Sequence, residues 1–143
     1  MPLNRVIVES LMDKPVFVKS KDNITTVIET LLQSRKGCVL INNAQNETVG
    51  IISDRDILRS ILENKTLLSQ GLKAKDIMVS LVIMITNTQS LKSAEDIMRK
   101  NKINRLPVVE NPKSKKVIGI VNYDTVHKNL LTSFATKWIN RQR

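Results

Sequence analysis

Ser53 and Asp56 stand three residues apart in Gly50-Ile51-Ile52-Ser53-Asp54-Arg55-Asp56, where a strand pattern gives way to a helical one. A hydroxyl and a carboxylate at this spacing serve two kinds of chemistry. They can cap the helix reciprocally, each side chain meeting the other's backbone amide. They can also face a ligand. A helix start offers unpaired amides and the positive end of the helix dipole. An acid just inside it can accept the paired hydroxyls of a ribose, and the serine hydroxyl can reach sugar or phosphate. Both readings stay open on the residues alone. Gly50 marks a close approach of the backbone.

The other reactive side chains are isolated. Cys38, the one cysteine, sits in the apolar run Gly37-Cys38-Val39-Leu40-Ile41, which suits a small buried hydrophobe and excludes a disulfide within the chain. His127, the one histidine, has no second His or Cys at ligand spacing, so neither a metal nor a catalytic residue is expected. It is expected to face solvent or pack against a helix.

Two copies of one pattern must position these groups. Val49-Gly50-Ile51-Ile52-Ser53-Asp54-Arg55-Asp56 returns as Ile118-Gly119-Ile120-Val121-Asn122-Tyr123-Asp124-Thr125. Ser10-Leu11-Met12 returns as Asp76-Ile77-Met78, and Val39-Leu40-Ile41 as Leu106-Pro107-Val108. Each copy reads strand, helix, strand, strand, helix. The first strands are Val16–Val18 and Val82–Ile85. Asn23 caps a helix with the stripe Ile24, Val27, Ile28, Leu31, and Ser90 caps one with Leu91, Ala94, Ile97, Met98. Strands 39–41 and 49–52, and 106–109 and 117–121, follow as pairs joined by the turns Asn42-Asn43-Ala44-Gln45-Asn46 and Asn111-Pro112-Lys113-Ser114. The predicted helices after them are Asp54–Leu62 and Tyr123 onward. The fold class is α/β. The first repeat spans 1–71, and the second spans 72–143 with an extended basic C-terminal helix. One copy buries little surface alone, so the two are expected to pack about a pseudo-twofold axis into one module, with a ligand cleft between them.

Gly50-Ile51-Ile52-Ser53-Asp54-Arg55-Asp56-Ile57-Leu58, Lys75-Asp76-Ile77-Met78 and Asn104-Arg105-Leu106-Pro107-Val108-Val109 together resemble the closing, opening and middle motifs of the cystathionine-β-synthase (CBS) repeat. The resemblance runs over residues 6–131. It implies a stand-alone Bateman module, a pair of CBS repeats that binds an adenosine-bearing ligand reversibly, with AMP, ADP or ATP expected here, and that is not an enzyme. It implies ribose contacts for Ser53 and Asp56. Lys14, Val16, Val39 and Ile41 fall where the family lines its adenine pocket, and Arg55 and Arg105 are candidates for phosphate. The second copy departs from the motif: Asn122 stands for Ser or Thr, and Thr125 for Asp. Asp124 comes one residue early, about 100° around the helix. That site is expected to be degenerate and weaker.

The net charge of +10 favours anionic partners. From Asn111 onward seven cations face the single acid Asp124. A nucleic-acid-binding protein is the first rival reading, although aromatics are only 3% and no stacking motif appears. A structural subunit with vestigial pockets is the second. The N-terminus lacks a secretory pattern, and the longest apolar run, 81–85, is too short to span a bilayer, so a cytoplasmic protein without a membrane partner is expected. Leu131, Phe134 and Trp138 form a stripe that either covers its own module or makes a homodimer contact. A separate regulated protein is the remaining partner expected, since no output domain lies on the chain.

Overall fold

A computed structural model describes residues 6–80 and 83–142. The N-terminal residues 1–5, the start of the predicted strand at Val82, and Arg143 lie outside the described residues. The chain forms two compact units, Pro15–Val82 and Met1–Lys14 with Ile83–Arg143. A boundary drawn between 71 and 72 follows the repeats; the units are cut differently, because the opening of each repeat joins the sheet of the other.

In the continuous unit, β1 (Phe17–Lys19) leads to α1 (Ile24–Ser34), β2 (Cys38–Asn42), β3 (Thr48–Ser53) and α2 (Asp54–Glu63). Asn23 caps α1 by accepting from the Thr26 amide, and Arg35 ends it in the left-handed region. Strand β1 runs parallel to β2, and β3 antiparallel to it. After α2 come the short α3 (Ala74–Ile77) and β4 (Val79–Ser80), which adds to the open side of β3. The core joins Val18, Ile24, Val27, Leu31, Val39, Ile41, Ile52 and Ile57. The helical stripe read from sequence is thus buried against alternate residues of the strands.

The second unit repeats this plan with β5 (Ile85–Thr86), α4 (Leu91–Asn101), β6 (Arg105–Val109), β7 (Gly119–Asn122) and α5 (Tyr123–Arg141). Ser90 caps α4 from its hydroxyl. Strand β7 starts later than the predicted 117, although the Ile118 amide already donates to the Val108 carbonyl at 2.7 Å. The core joins Val8, Ile85, Leu91, Ala94, Met98, Leu106, Val108, Val121, Val126 and Leu130.

The exchanged openings are held identically. In the first unit Ile24 N donates to Leu72 O (3.1 Å), Ala74 N to Asp22 O (2.7 Å) and Lys75 N to Ser20 O (3.1 Å). In the second, Leu91 N donates to Val6 O (3.1 Å), Val8 N to Gln89 O (2.8 Å) and Glu9 N to Asn87 O (3.1 Å). Asp13 then bridges antiparallel to Ile120, as Val79 does to Ile51. Each opening methionine lies over the other repeat's glycine, Met78 on Gly50 and Met12 on Gly119.

Candidate functional site

The sheet end where β3 turns into α2 gathers five of the residues singled out above, Val16, Cys38, Val39, Ser53 and Asp56. Ser53 closes β3 opposite Cys38, the first residue of β2, and Val39 faces Ile52. Val16 lies alongside, its carbonyl accepting from the Leu40 amide at 2.8 Å. Ser53 is the N-cap of α2, and the reciprocal cap is formed. The Asp56 amide donates to Ser53 Oγ at 3.0 Å, and the Ser53 amide donates to Asp56 Oδ2 at 2.9 Å. The capping reading is therefore realised. It does not consume the carboxylate: Oδ1 of Asp56 has no hydrogen-bond partner among the described residues. A carboxylate carries about four acceptor sites, so one group can cap the helix and still accept from a ligand.

Arg55 is exposed on the first turn of α2. Val39 and Ile41 are fully buried, with side chains inside the first core. Their backbone is buried as well, in the middle strand between β1 and β3, and Ile41 lies further along the strand, opposite Gly50. Val16 packs partly against the same core. Lys14 is exposed and belongs, with Arg105, to the other unit. The Nε of Arg105 is buried with no hydrogen-bond partner. An orphaned buried donor carries a desolvation cost that a bound anion would relieve.

The equivalent sheet end of the second unit is chemically poorer. Tyr123 N donates to Asn104 O at 2.9 Å, matching Asp54 N to Gly37 O at 3.0 Å, so the backbone is kept. Asn122 caps α5 by accepting from the Asp124 amide at 2.9 Å. Thr125 and Asp124 are exposed, and no carboxylate closes the box.

The sequence reading missed a polar cluster between α4 and α5. Glu95 is buried on the inward face of α4, among Leu91, Ala94 and Met98. Its carboxylate meets His127 Nδ1 at 2.9 Å, Arg99 at 3.0 Å and Lys92 at 3.4 Å. The His127 ring stacks on Tyr123 at 5.5 Å. The signal was an acid four residues after Leu91 on the apolar stripe. Burial pushes the Glu95 carboxyl up, but the His127 and Lys92 hydrogen bonds and the Arg99 charge outweigh it, leaving it below its ordinary value of 4.5. A lowered acid stabilises the fold above its unfolded value and loses that contribution as pH falls through its folded one. Glu95→Gln should therefore lower unfolding free energy by about 1 kcal/mol at pH 7, the partners being half exposed. The deficit should vanish in urea titrations carried out below the folded value, where the parent carboxyl is protonated too.

Among the described residues no three His, Cys, Asp or Glu side chains gather to hold a metal ion, and Cys38 is buried, as its apolar setting suggested.

Comparison with known proteins agrees with this arrangement. An uncharacterized 33.4 kDa protein in a ribosomal RNA operon of Thermofilum pendens is 28% identical over 118 residues. The match covers 82% of this chain and 38% of that protein, so the chain spans well under half the length of this curated relative. Among solved structures, the CBS domain pair of protein MJ0100, in complex with 5′-methylthioadenosine and S-adenosyl-L-methionine, superposes with a TM-score of 0.78 at 22% identity. It covers 92% of this chain and 99% of that one. CBSX2 in complex with AMP gives a TM-score of 0.73 at 24% identity, covering 89% and 97%. These likenesses are of fold. The CBS domain itself matches residues 8–63 and again 74–131. With both repeats matched over most of its length, and each built as strand, helix, strand, strand, helix, the chain belongs to the CBS domain family as a tandem pair of repeats.

Proposed function

We propose that the chain is a non-catalytic regulatory module of the cytosol that binds AMP, ADP or ATP and signals through a change in shape or partner affinity. The observation that carries this reading is the open oxygen of Asp56 at the start of α2. Asp56 and Ser53 would take the ribose hydroxyls, and the α2 amides and Arg55 a phosphate. Lys14, Val16, Val39 and Ile41 are the residues that the family resemblance assigns to the base. The orphaned Nε of Arg105 and the net charge of +10 favour a phosphorylated ligand over a cationic sulfonium. The proteins of similar fold that hold AMP or S-adenosyl-L-methionine support an adenosine-bearing ligand in general.

The same reading includes a homodimer. On α2, Leu58 and Leu62 are 65% and 79% exposed one turn apart. Asp54, Arg55, Arg59 and Glu63 supply both signs of charge on that helix, which suits self-pairing.

The test is a thermal-shift panel of AMP, ADP, ATP, S-adenosylmethionine and adenosine, with sedimentation of each mixture. A ligand at 100 times its Kd adds about 2.7 kcal/mol of stability, and the protein should sediment as a dimer. If none of the three nucleotides shifts the transition at millimolar concentration, the nucleotide assignment fails. A monomer in every mixture would remove the dimer.

A further inference from the structure

Helix α5 outruns its family: the match ends at residue 131, and the helix continues to Arg141. The extension does not cover its own unit. Leu131, Phe134, Trp138 and Ile139 are 54%, 56%, 64% and 49% exposed, so of the two readings of this stripe, burial within the chain is not the one realised. At about 100° per residue these four fall within some 140° of the helix circumference. Thr132, Ser133, Thr136 and Asn140 occupy the opposite side. Arg141 borders the apolar arc, Lys137 lies about 60° beyond its edge on the same flank, and Lys128 lies at its proximal end. After Asp124 the described helix holds no carboxylate.

We propose that this distal half of α5 docks on the surface of an anionic lipid bilayer. Charge selects the occupant. A second α5 laid on this face would set cations against cations with no acid to answer them, unlike α2, where both signs are present. A bilayer of anionic lipids answers both halves of the surface. The rings of Phe134 and Trp138 and the aliphatic Leu131 and Ile139 enter the headgroup–acyl boundary, while Lys128, Lys137 and Arg141 reach lipid phosphates with their stems along the apolar layer. The chain's +10 charge adds long-range attraction. No described helix is long and apolar enough to cross a membrane, so the helix lies on the surface and does not span it. This inference is independent of nucleotide binding.

Trp138 is the only tryptophan, so its emission reports the event directly. The full chain is titrated with vesicles of phosphatidylglycerol and phosphatidylcholine (3:7) and with phosphatidylcholine alone, and binding is checked by flotation. Trp138 emission should move to the blue with the anionic vesicles only, and added salt should reverse it. Lys137→Glu with Arg141→Glu should weaken binding about tenfold or more, with an unchanged thermal transition because both positions are exposed. Phe134→Ser should weaken flotation while keeping Trp138 as the probe. No shift with anionic vesicles overturns the proposal, and so does an equal shift with both compositions. Emission that is already blue without lipid and moves to the red on dilution would mean that a second copy covers the face, and would also overturn it.

Discussion

Asp56→Asn should weaken nucleotide binding about tenfold or more while leaving the fold nearly as stable. The asparagine oxygen can take over the bond from the Ser53 amide that Oδ2 accepts at 2.9 Å, so the cap of α2 is largely kept. Its amide nitrogen then stands where Oδ1 stood, so that under the proposed ribose assignment a donor replaces a charged acceptor. Hydrogen bonds to charged groups are worth about 1.5–3 kcal/mol, and 1.4 kcal/mol is a factor of ten. Calorimetric titration reads the affinity and urea unfolding reads the cap. The reverse change, Thr125→Asp, places an acid at the matching position of α5, where Asn122 already caps the helix, and should strengthen binding at the site proposed for the second repeat. Asp56→Asn binding as tightly as the parent would reduce Asp56 to a capping residue.

Gly50→Ala should destabilise the protein by about 1–3 kcal/mol, the usual cost of forcing atoms into a filled space. A Cβ there would stand 2.8 Å from Met78 Cγ and 3.0 Å from Met78 Cβ. Gly119→Ala should cost about the same, because Met12 meets that position at the same two distances. Neither penalty comes from backbone conformation, since neither glycine has a positive φ. Shortening the methionine should therefore relieve it: Gly50→Ala with Met78→Ala should fall short of the sum of the single losses in a double-mutant cycle. Additive losses would show that the methionine is not what excludes a side chain.

The elements were legible because the copies explain each other. The stripe from Ile24 to Leu31 and its counterpart from Leu91 to Met98 lie as spacing requires, and the apolar runs around Val39, Ile51, Val108 and Ile120 became strands. The partner of each opening was not legible. Aligning Met12 with Met78 says that they are equivalent, yet pattern cannot tell whether either seats on its own repeat's glycine or on the other's. Glu95 escaped for a different reason: a helical acid is ordinarily solvated, and its burial depends on His127, thirty-two positions away. At the candidate site, spacing found Ser53 and Asp56 but could not separate cap from ligand contact, because the same geometry satisfies both. The apolar character of Val39 and Ile41 suited a pocket and a core equally, and packing put their side chains in the core.

The traded openings bear on what a single repeat would be. A chain ending after one copy would own Met12 without Gly119, and Gly50 without Met78. Two such chains would have to barter their first turns, making assembly second order in protein and loosening it on dilution. Joined in tandem, the trade becomes intramolecular, at an effective concentration on the order of millimolar for a short tether, and dilution no longer matters. A protease cut in the stretch between Asn64 and Lys73 would break the tether but not the barter. The severed halves would stay gripped until diluted below the dissociation constant of the two fragments for each other.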